Sequence, residues 1–465
     1  MSRLATVTET VLRRLADELA GHPDRIRVCR AGISMVMDRS EWLLSDTAPM
    51  LRSDDDSSPR ILVTAAPQAS AFQGALARAR DYFEGKNPTV VLVLGTGEVA
   101  GHIAAAHLTR SRTLQPLDAV RIVAPGLPYV PLGDAAWADG RSSSNWIRSS
   151  LAIRRGLSPH EIWSRSMGAL GEVAWQRMAA LHVGVVGCGR TGSLVATSLK
   201  RSGVRRLSLV DPDRLEPHNL GEMDAIDAQD LGQPKVQALA QCIQRQDLGI
   251  SQTAETIAET VLSFSALVAL KATDVVFCCV DNPAARLITA CIAVLYLKPI
   301  IDLGTGVLNA AHLPRAGLRP DGDEPGELGP RQMGADVRLI LPGRCLLCHG
   351  GIADLGQALE QLLGEASVGP LDVPTPWRWR EERAGSLRSL NGVAVNLGLR
   401  LLEDFLGGRL AESTWLHVEF SDQGIPSIEH RLVHAPLACR LCALASRGDD
   451  GLRELRVTLQ SLRAL

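Results

Sequence analysis

The stretch from Leu181 to Asp211 restricts the fold more than any other part of the chain. Leu181-His182-Val183-Gly184-Val185-Val186 is a short apolar run with the β-branching of a buried parallel strand. Gly187-Cys188-Gly189-Arg190-Thr191-Gly192 follows at once and matches G-x-G-x-x-G. Ser193 to Gly203 then has helical spacing, with Leu194, Val195, Thr197 and Leu199 available to pack on a sheet. Arg206-Leu207-Ser208-Leu209-Val210 reads as a second strand, closed by Asp211. Together they predict a nucleotide-binding βαβ unit. Its glycines let backbone N–H groups approach phosphates at the start of a helix, where the dipole favours anions. Asp211 stands about twenty residues on, where a carboxylate accepts from ribose hydroxyls. The alternative is a tight strand–helix turn in an empty domain of the same shape, and only residues downstream separate the two.

Three signals follow downstream. His218-Asn219-Leu220 comes shortly after Asp211-Pro212-Asp213. Gly232-Gln233-Pro234-Lys235 places a lysine at the opening of a helix. Asp281-Asn282-Pro283-Ala284-Ala285-Arg286 ends a strand expected over Val275 to Val280. In an open parallel sheet the C-terminal strand ends line the ligand crevice, so Asp211, Asp281 and the glycine turn converge on one edge. A lysine near phosphates favours a triphosphate over a nicotinamide, because it neutralises charge that grows during transfer. A carboxylate at Asp281 suits Mg²⁺, a hard cation that prefers oxygen ligands. A solvated Lys235 and a helix-capping Asp281 are the plain alternatives.

The chain has 465 residues, which leaves room for a second unit. We expect a smaller α/β domain over 1–150 and one large α/β domain over 151–465, with a mostly parallel sheet wound by helices. In the first, residues 1–20 read as an opening helix, Ile61 to Thr64 and Val90 to Leu94 as strands, and the segment from His102 as a helix. Its own glycine turn, Gly95-Thr96-Gly97, is followed by a strand ending at Val123 with no acid, so it reads as structural. Pro125 to Ser150 reads as a linker. Arg315 to Gly334 and Gly364 to Ser386 read as irregular, and Asn391 to Leu406 as a strong helix stopped at Gly407-Gly408. A net charge of −2 gives no electrostatic footprint for nucleic acid. No apolar run reaches the length of a membrane span.

Ten cysteines are present, four of them in two C-x-x-C pairs, Cys345/Cys348 and Cys439/Cys442. Four thiolates at that spacing suit a tetrahedral, closed and therefore structural Zn²⁺. The usage fits a reducing, cytoplasmic compartment. Cys188, Cys278, Cys279 and Cys291 read as small buried apolar residues. His182 and His349 read as local hydrogen-bonding groups.

From Arg165 to the final cysteines the motifs resemble the ThiF/MoeB/HesA adenylyltransferases and the adenylation domains of ubiquitin-activating enzymes. The set is Gly187, Gly189 and Gly192 of the turn, Asp211-x-Asp213, Asn219-Leu220, Gly232-x-x-Lys235, Asp281-Asn282-x-x-x-Arg286 and the two cysteine pairs. The resemblance implies a Rossmann-like adenylation domain that uses Mg-ATP to adenylate the C-terminal glycine of a ubiquitin-like protein. It implies that Asp211 binds ribose, Lys235 the phosphates and Asp281 the metal, with Asn219 lining the site and Asp213, Asn282 and Arg286 among the ATP-site residues. Arg165 matches the arginine that the family inserts into a neighbouring protomer's site, which implies a homodimer.

The chain departs from that pattern twice. Glu222 stands where the family carries a phosphate-contacting arginine; Arg190, and after it Arg214, are the expected substitutes. The crossover segment of about 364–390 has no cysteine, and Glu381 falls near the usual position. Direct transfer from the adenylate is one outcome. Acyl transfer to a hydroxyl is the other, with Thr375 the candidate and Ser386 and Ser389 behind it. The extra N-terminal domain resembles longer activating enzymes of bacterial ubiquitin-like conjugation operons, which also encode a conjugating enzyme, and that association suggests antiphage defence. Two alternatives stand beside this expectation: activation of a sulfur-carrier protein for cofactor biosynthesis, and a non-catalytic ATP-binding scaffold subunit.

Overall fold

The computed structural model describes residues 2–36, 39–45, 59–82, 89–96, 99–100, 102–109, 111–124, 129–131, 138–139, 158–246, 248, 252–309, 331–352, 354–363, 387–420, 424–432 and 439–462. Thr375, Glu381 and Ser386 lie outside them; Ser389 is exposed in the helix Arg388–Leu406.

One eight-stranded sheet organises the chain from residue 182 onward. Its spatial order is Thr253–Ile257, Arg206–Val210, His182–Val186, Val275–Cys278, Ile300–Asn309, Arg331–Ile340, Thr414–Phe420 and Pro426–Arg431. The first five run parallel, and the last three add an antiparallel extension. His182–Val186 pairs with Arg206–Val210 on one side and Val275–Cys278 on the other. Chain order reverses there, and a parallel sheet opens its ligand crevice at such a point. The central strands are apolar on both faces because helices cover both, as the wholly buried Val275–Cys278 illustrates. Helices Arg190–Arg201, Pro283–Leu295 and Arg388–Leu406 supply Val195, Leu199, Leu287, Leu402 and Phe405 to the shared core. The last helix ends at Gly407, and Gly408 takes a φ of +74° that favours glycine.

The N-terminal region holds two further sheets, of five and six strands. It differs from expectation in two places. Ser2–Thr8 is a strand, and only Glu9–Ala20 is helical. Ser2–Thr8 pairs in parallel with both Arg39–Leu44 and Ala119–Val123, so distant partners override its local spacing. His102–Leu108 is a buried strand, not a helix. Its alanines favour helix intrinsically, but antiparallel pairing with Thr89–Gly95 decides the outcome. Arg331–Ile340 likewise extends a strand into a segment read as irregular.

The N-terminal sheets dock on the large one through a seam with polar and apolar parts. Leu43 and Val123 join the core of the large sheet. Arg121 lies 3.7 Å from Glu41 on its own sheet and 2.5 Å from Asp274 across the seam. Lys298 approaches Glu41 from the other side at 3.8 Å. The C-terminal segment enters the same seam. Gly448 bridges Ile33, Ser446 bonds Ser45, and Asp449 accepts from the Met35 amide, Lys271 and Tyr296.

Candidate functional site

The site forms where two turns meet at the C-terminal strand ends. Gly187 follows the strand His182–Val186 with a φ of +85°, and any Cβ there would meet the Cys279 backbone at 2.9 Å. At Gly192 a Cβ would meet the Gly187 carbonyl oxygen at 1.8 Å. These two glycines let the turn fold onto the helix Arg190–Arg201. At Gly189 a Cβ would have open space, as a phosphate-facing position requires.

Asp211 ends the next strand and is buried. One carboxylate oxygen accepts from the Cys188 N–H at 2.6 Å, the other from the Asp213 N–H at 2.9 Å. It therefore fixes the glycine turn as well as facing the crevice, a role its position in the motif did not reveal. A carboxylate offers about four lone-pair sites, so two remain for a ligand's hydroxyls. Burial raises its pKa, and Lys235 acts in the opposite direction. Cys188 is fully buried, and burial and then Asp211 push its thiol well above the usual range. It is not a poised nucleophile.

Lys235 opens the helix Lys235–Arg245, and its ammonium lies 2.7 Å from Asp213. Burial opposes its charge, but Asp211, Asp213 and Asp281 outweigh burial and hold its pKa above the ordinary value. One lysine thus stands among three acids, which is an excess of negative charge. Asn282 caps the helix Pro283–Leu295, accepting from the Ala284 and Ala285 amides at 2.8 and 3.1 Å. That leaves Asp281 exposed, and no described residue hydrogen-bonds its carboxylate. The donor set is all oxygen and over-negative, which fits Mg²⁺.

The other motif residues are placed as follows. Asn219 is buried in a short turn and accepts from the Glu216 amide at 2.9 Å. Arg286 lies under the site, donating to the carbonyls of Val280 and Leu303. Arg190 hydrogen-bonds and ion-pairs with Glu222, so the reversed charge has a local partner. Arg214 donates to the Gly232 carbonyl at 2.8 Å. Arg165 is exposed on the helix Pro159–Leu170. No motif marks Arg388, which reaches across to Asp224 at 2.7 Å. Asp224 in turn accepts from the Thr197 hydroxyl, and its backbone N–H donates to the Ser193 hydroxyl, both on the glycine-turn helix.

The four cysteines of the two C-x-x-C pairs come together. Sulfur separations are 3.5 Å for Cys345–Cys348, 3.7 Å for Cys345–Cys439 and 3.6 Å for Cys348–Cys442. All four sulfurs lie within 4.8 Å of one another. Zinc–sulfur bonds of about 2.3 Å in a tetrahedron set sulfurs about 3.8 Å apart, and the cluster fits that spacing.

Part of the chain is similar to known proteins. Residues 163–316 match the ThiF family. The chain is 34% identical over 174 residues to the cattle (Bos taurus) adenylyltransferase and sulfurtransferase MOCS3, covering 36% of this chain and 38% of that protein. It is 32% identical over 132 residues to the Thermus thermophilus sulfur carrier protein adenylyltransferase, covering 28% and 48%. The chain thus spans less than half the length of these relatives. Among solved structures, Escherichia coli MccB with ATP aligns at 16% identity and a TM-score of 0.43, over 65% of this chain and 81% of that one.

Proposed function

We propose, from the ThiF-family domain over residues 163–316, that the protein is an ATP-dependent adenylyltransferase that activates the C-terminal glycine of a ubiquitin-like protein. The observation that carries this reading is the meeting of the glycine turn, Asp211, Lys235 and Asp281 at one strand edge. A carboxylate oxygen of the partner attacks the α-phosphorus of ATP, forming an acyl-adenylate and releasing pyrophosphate. Gly189 admits the phosphates, Asp211 receives the ribose hydroxyls, and Lys235 offsets charge gathering on the phosphate oxygens. Mg²⁺ held at Asp281 would screen the leaving pyrophosphate. Arg165, reaching from a second protomer, would add a further positive charge. Zn²⁺ on the four cysteines would be structural, since a closed thiolate shell has no open position.

Conjugation in an antiphage operon, with a conjugating enzyme downstream, is the finer form of this proposal. The extra N-terminal region supports it. Thr375 or a neighbouring serine would then carry the acyl group, giving an adduct that survives thiol reductant. The second reading is activation of a sulfur carrier, and the relatives named above favour it. Partner-dependent exchange of pyrophosphate into ATP tests the shared chemistry. We expect exchange with a ubiquitin-like or sulfur-carrier protein ending in glycine, and none when that glycine is removed. No exchange with either class of partner would leave the scaffold alternative.

A further inference from the structure

Behind Asp281 runs a buried chain of charges, of which the adenylation reading uses only Arg286. Asp302 is fully buried on the strand Ile300–Asn309, paired in register with Arg338 on one side and Cys278 on the other. Its two oxygens face two guanidinium groups, Arg286 Nε at 3.2 Å and Arg338 Nη1 at 3.2 Å. Arg286 continues the chain toward the nucleotide. Its Nη2 donates to the Val280 carbonyl at 2.7 Å and to the Leu303 carbonyl at 3.3 Å. Val280 is the residue before Asp281. Burial alone would depress the Arg286 pKa, but Asp302, Cys278 and Asp281 together raise it, so its charge is held.

Arg338 continues the chain the other way. Its Nε donates to the His349 carbonyl at 3.1 Å and its Nη2 to the Gly350 carbonyl at 3.4 Å. His349 directly follows Cys348 of the four-cysteine cluster. The guanidinium also stacks over the Trp415 ring at 4.2 Å, which fixes its plane. One buried carboxylate therefore links the cysteine cluster to the turn that carries Asp281.

We propose that Asp302 is a positioning residue for the metal end of the nucleotide site, acting through Arg286 on the Val280–Asp281 turn and anchored through Arg338 to the cysteine cluster. This rests on the adenylation reading. Partners that orient a metal-ligating carboxylate set metal affinity without touching the metal, and losing one costs about 10–100-fold. ATP affinity at saturating Mg²⁺ would rest on Asp211, which stands on a different strand end.

The test measures ATP binding to the full chain across a Mg²⁺ series. Asp302→Asn should raise the Mg²⁺ concentration for half-maximal ATP binding about 10–100-fold, with ATP affinity at saturating Mg²⁺ and zinc content unchanged. A purely structural brace would instead lower the melting temperature and leave the Mg²⁺ requirement alone. If Asp302→Asn does not fold, the double variant Asp302→Asn/Arg338→Met removes one anion and one cation together and should show the same rise. Arg286→Lys, which keeps the charge and loses the bridge, should show it as well. A wild type that binds ATP, with folded variants matching its Mg²⁺ requirement, overturns the relay alone. A wild type that binds no ATP at any Mg²⁺ concentration overturns the adenylation reading and the relay with it.

Discussion

His182 makes the central strand acid-sensitive by an amount that can be worked out. Its Nε2 lies 2.9 Å from the Ser208 hydroxyl, whose own proton goes to Glu255 at 2.9 Å. Nε2 donates to Ser208 in the tautomer that leaves the Ser208 proton on Glu255. Burial is the largest influence and pulls the His182 pKa from 6.5 to about 4, with the Asp274 carboxylate acting the other way. The sign follows from which state binds protons. The unfolded chain takes up a proton below 6.5, while the folded chain resists until about 4. Stability from the neutral ring is thus fully present above the unfolded pKa and lost as pH falls toward the folded one. Linkage gives a loss of about 2 kcal/mol between about pH 8 and pH 5. The assay is urea denaturation of wild type and His182→Gln at both pH values. The glutamine amide keeps a donor for Ser208 but does not titrate. Every other group titrates in both proteins and cancels in the comparison. Wild type should lose about 2 kcal/mol more than the variant; equal losses would refute a neutral, buried His182.

Further predictions concern metal, nucleotide and assembly. Wild-type protein should hold about one zinc per chain, and Cys345→Ser or Cys439→Ser should lose it and melt earlier; metal analysis finding none in the wild type ends that assignment. Asp281→Ala should abolish partner-dependent pyrophosphate exchange. Asp211→Ala should weaken ATP binding on the order of tenfold, the cost of a lost charged hydrogen bond; wild-type exchange in both variants would place the nucleotide elsewhere. Mixed dimers of Arg165→Ala and Asp281→Ala chains should regain activity, and a confirmed mixed dimer without it would exclude Arg165 acting across protomers.

What the sequence revealed depends on how local the determining chemistry is. The unit from His182 to Asp211 could be read directly, because strand, glycine turn, helix and acid follow one another within a single connection. The cysteine cluster was legible from spacing alone, although its halves lie far apart in the chain. Asp281 and Asn282 were found together, but only the structure shows that Asn282 takes the cap and frees Asp281. Non-local pairing hid the rest. Nothing near His102 announces that Thr89–Gly95 will pair with it. Likewise, Asp302 gains its meaning from Arg338, a residue brought beside it only by strand register.

The seam between the N-terminal sheets and the large sheet has a consequence for synthesis. The strand Gly32–Val36 lies at the edge of its sheet and is bridged by Gly448. Its Met35 amide finds its acceptor on Asp449, 414 positions later. A ribosome adding about 5–20 residues per second makes the first sheets tens of seconds before those residues exist. The nascent N-terminal edge therefore waits, its amides open to water or to another chain, until the segment beyond the second cysteine pair arrives. An edge left bare that long invites pairing between neighbouring nascent chains. Gly448 and Asp449 are then the last residues of the seam to be made, and they follow closely on the second cysteine pair.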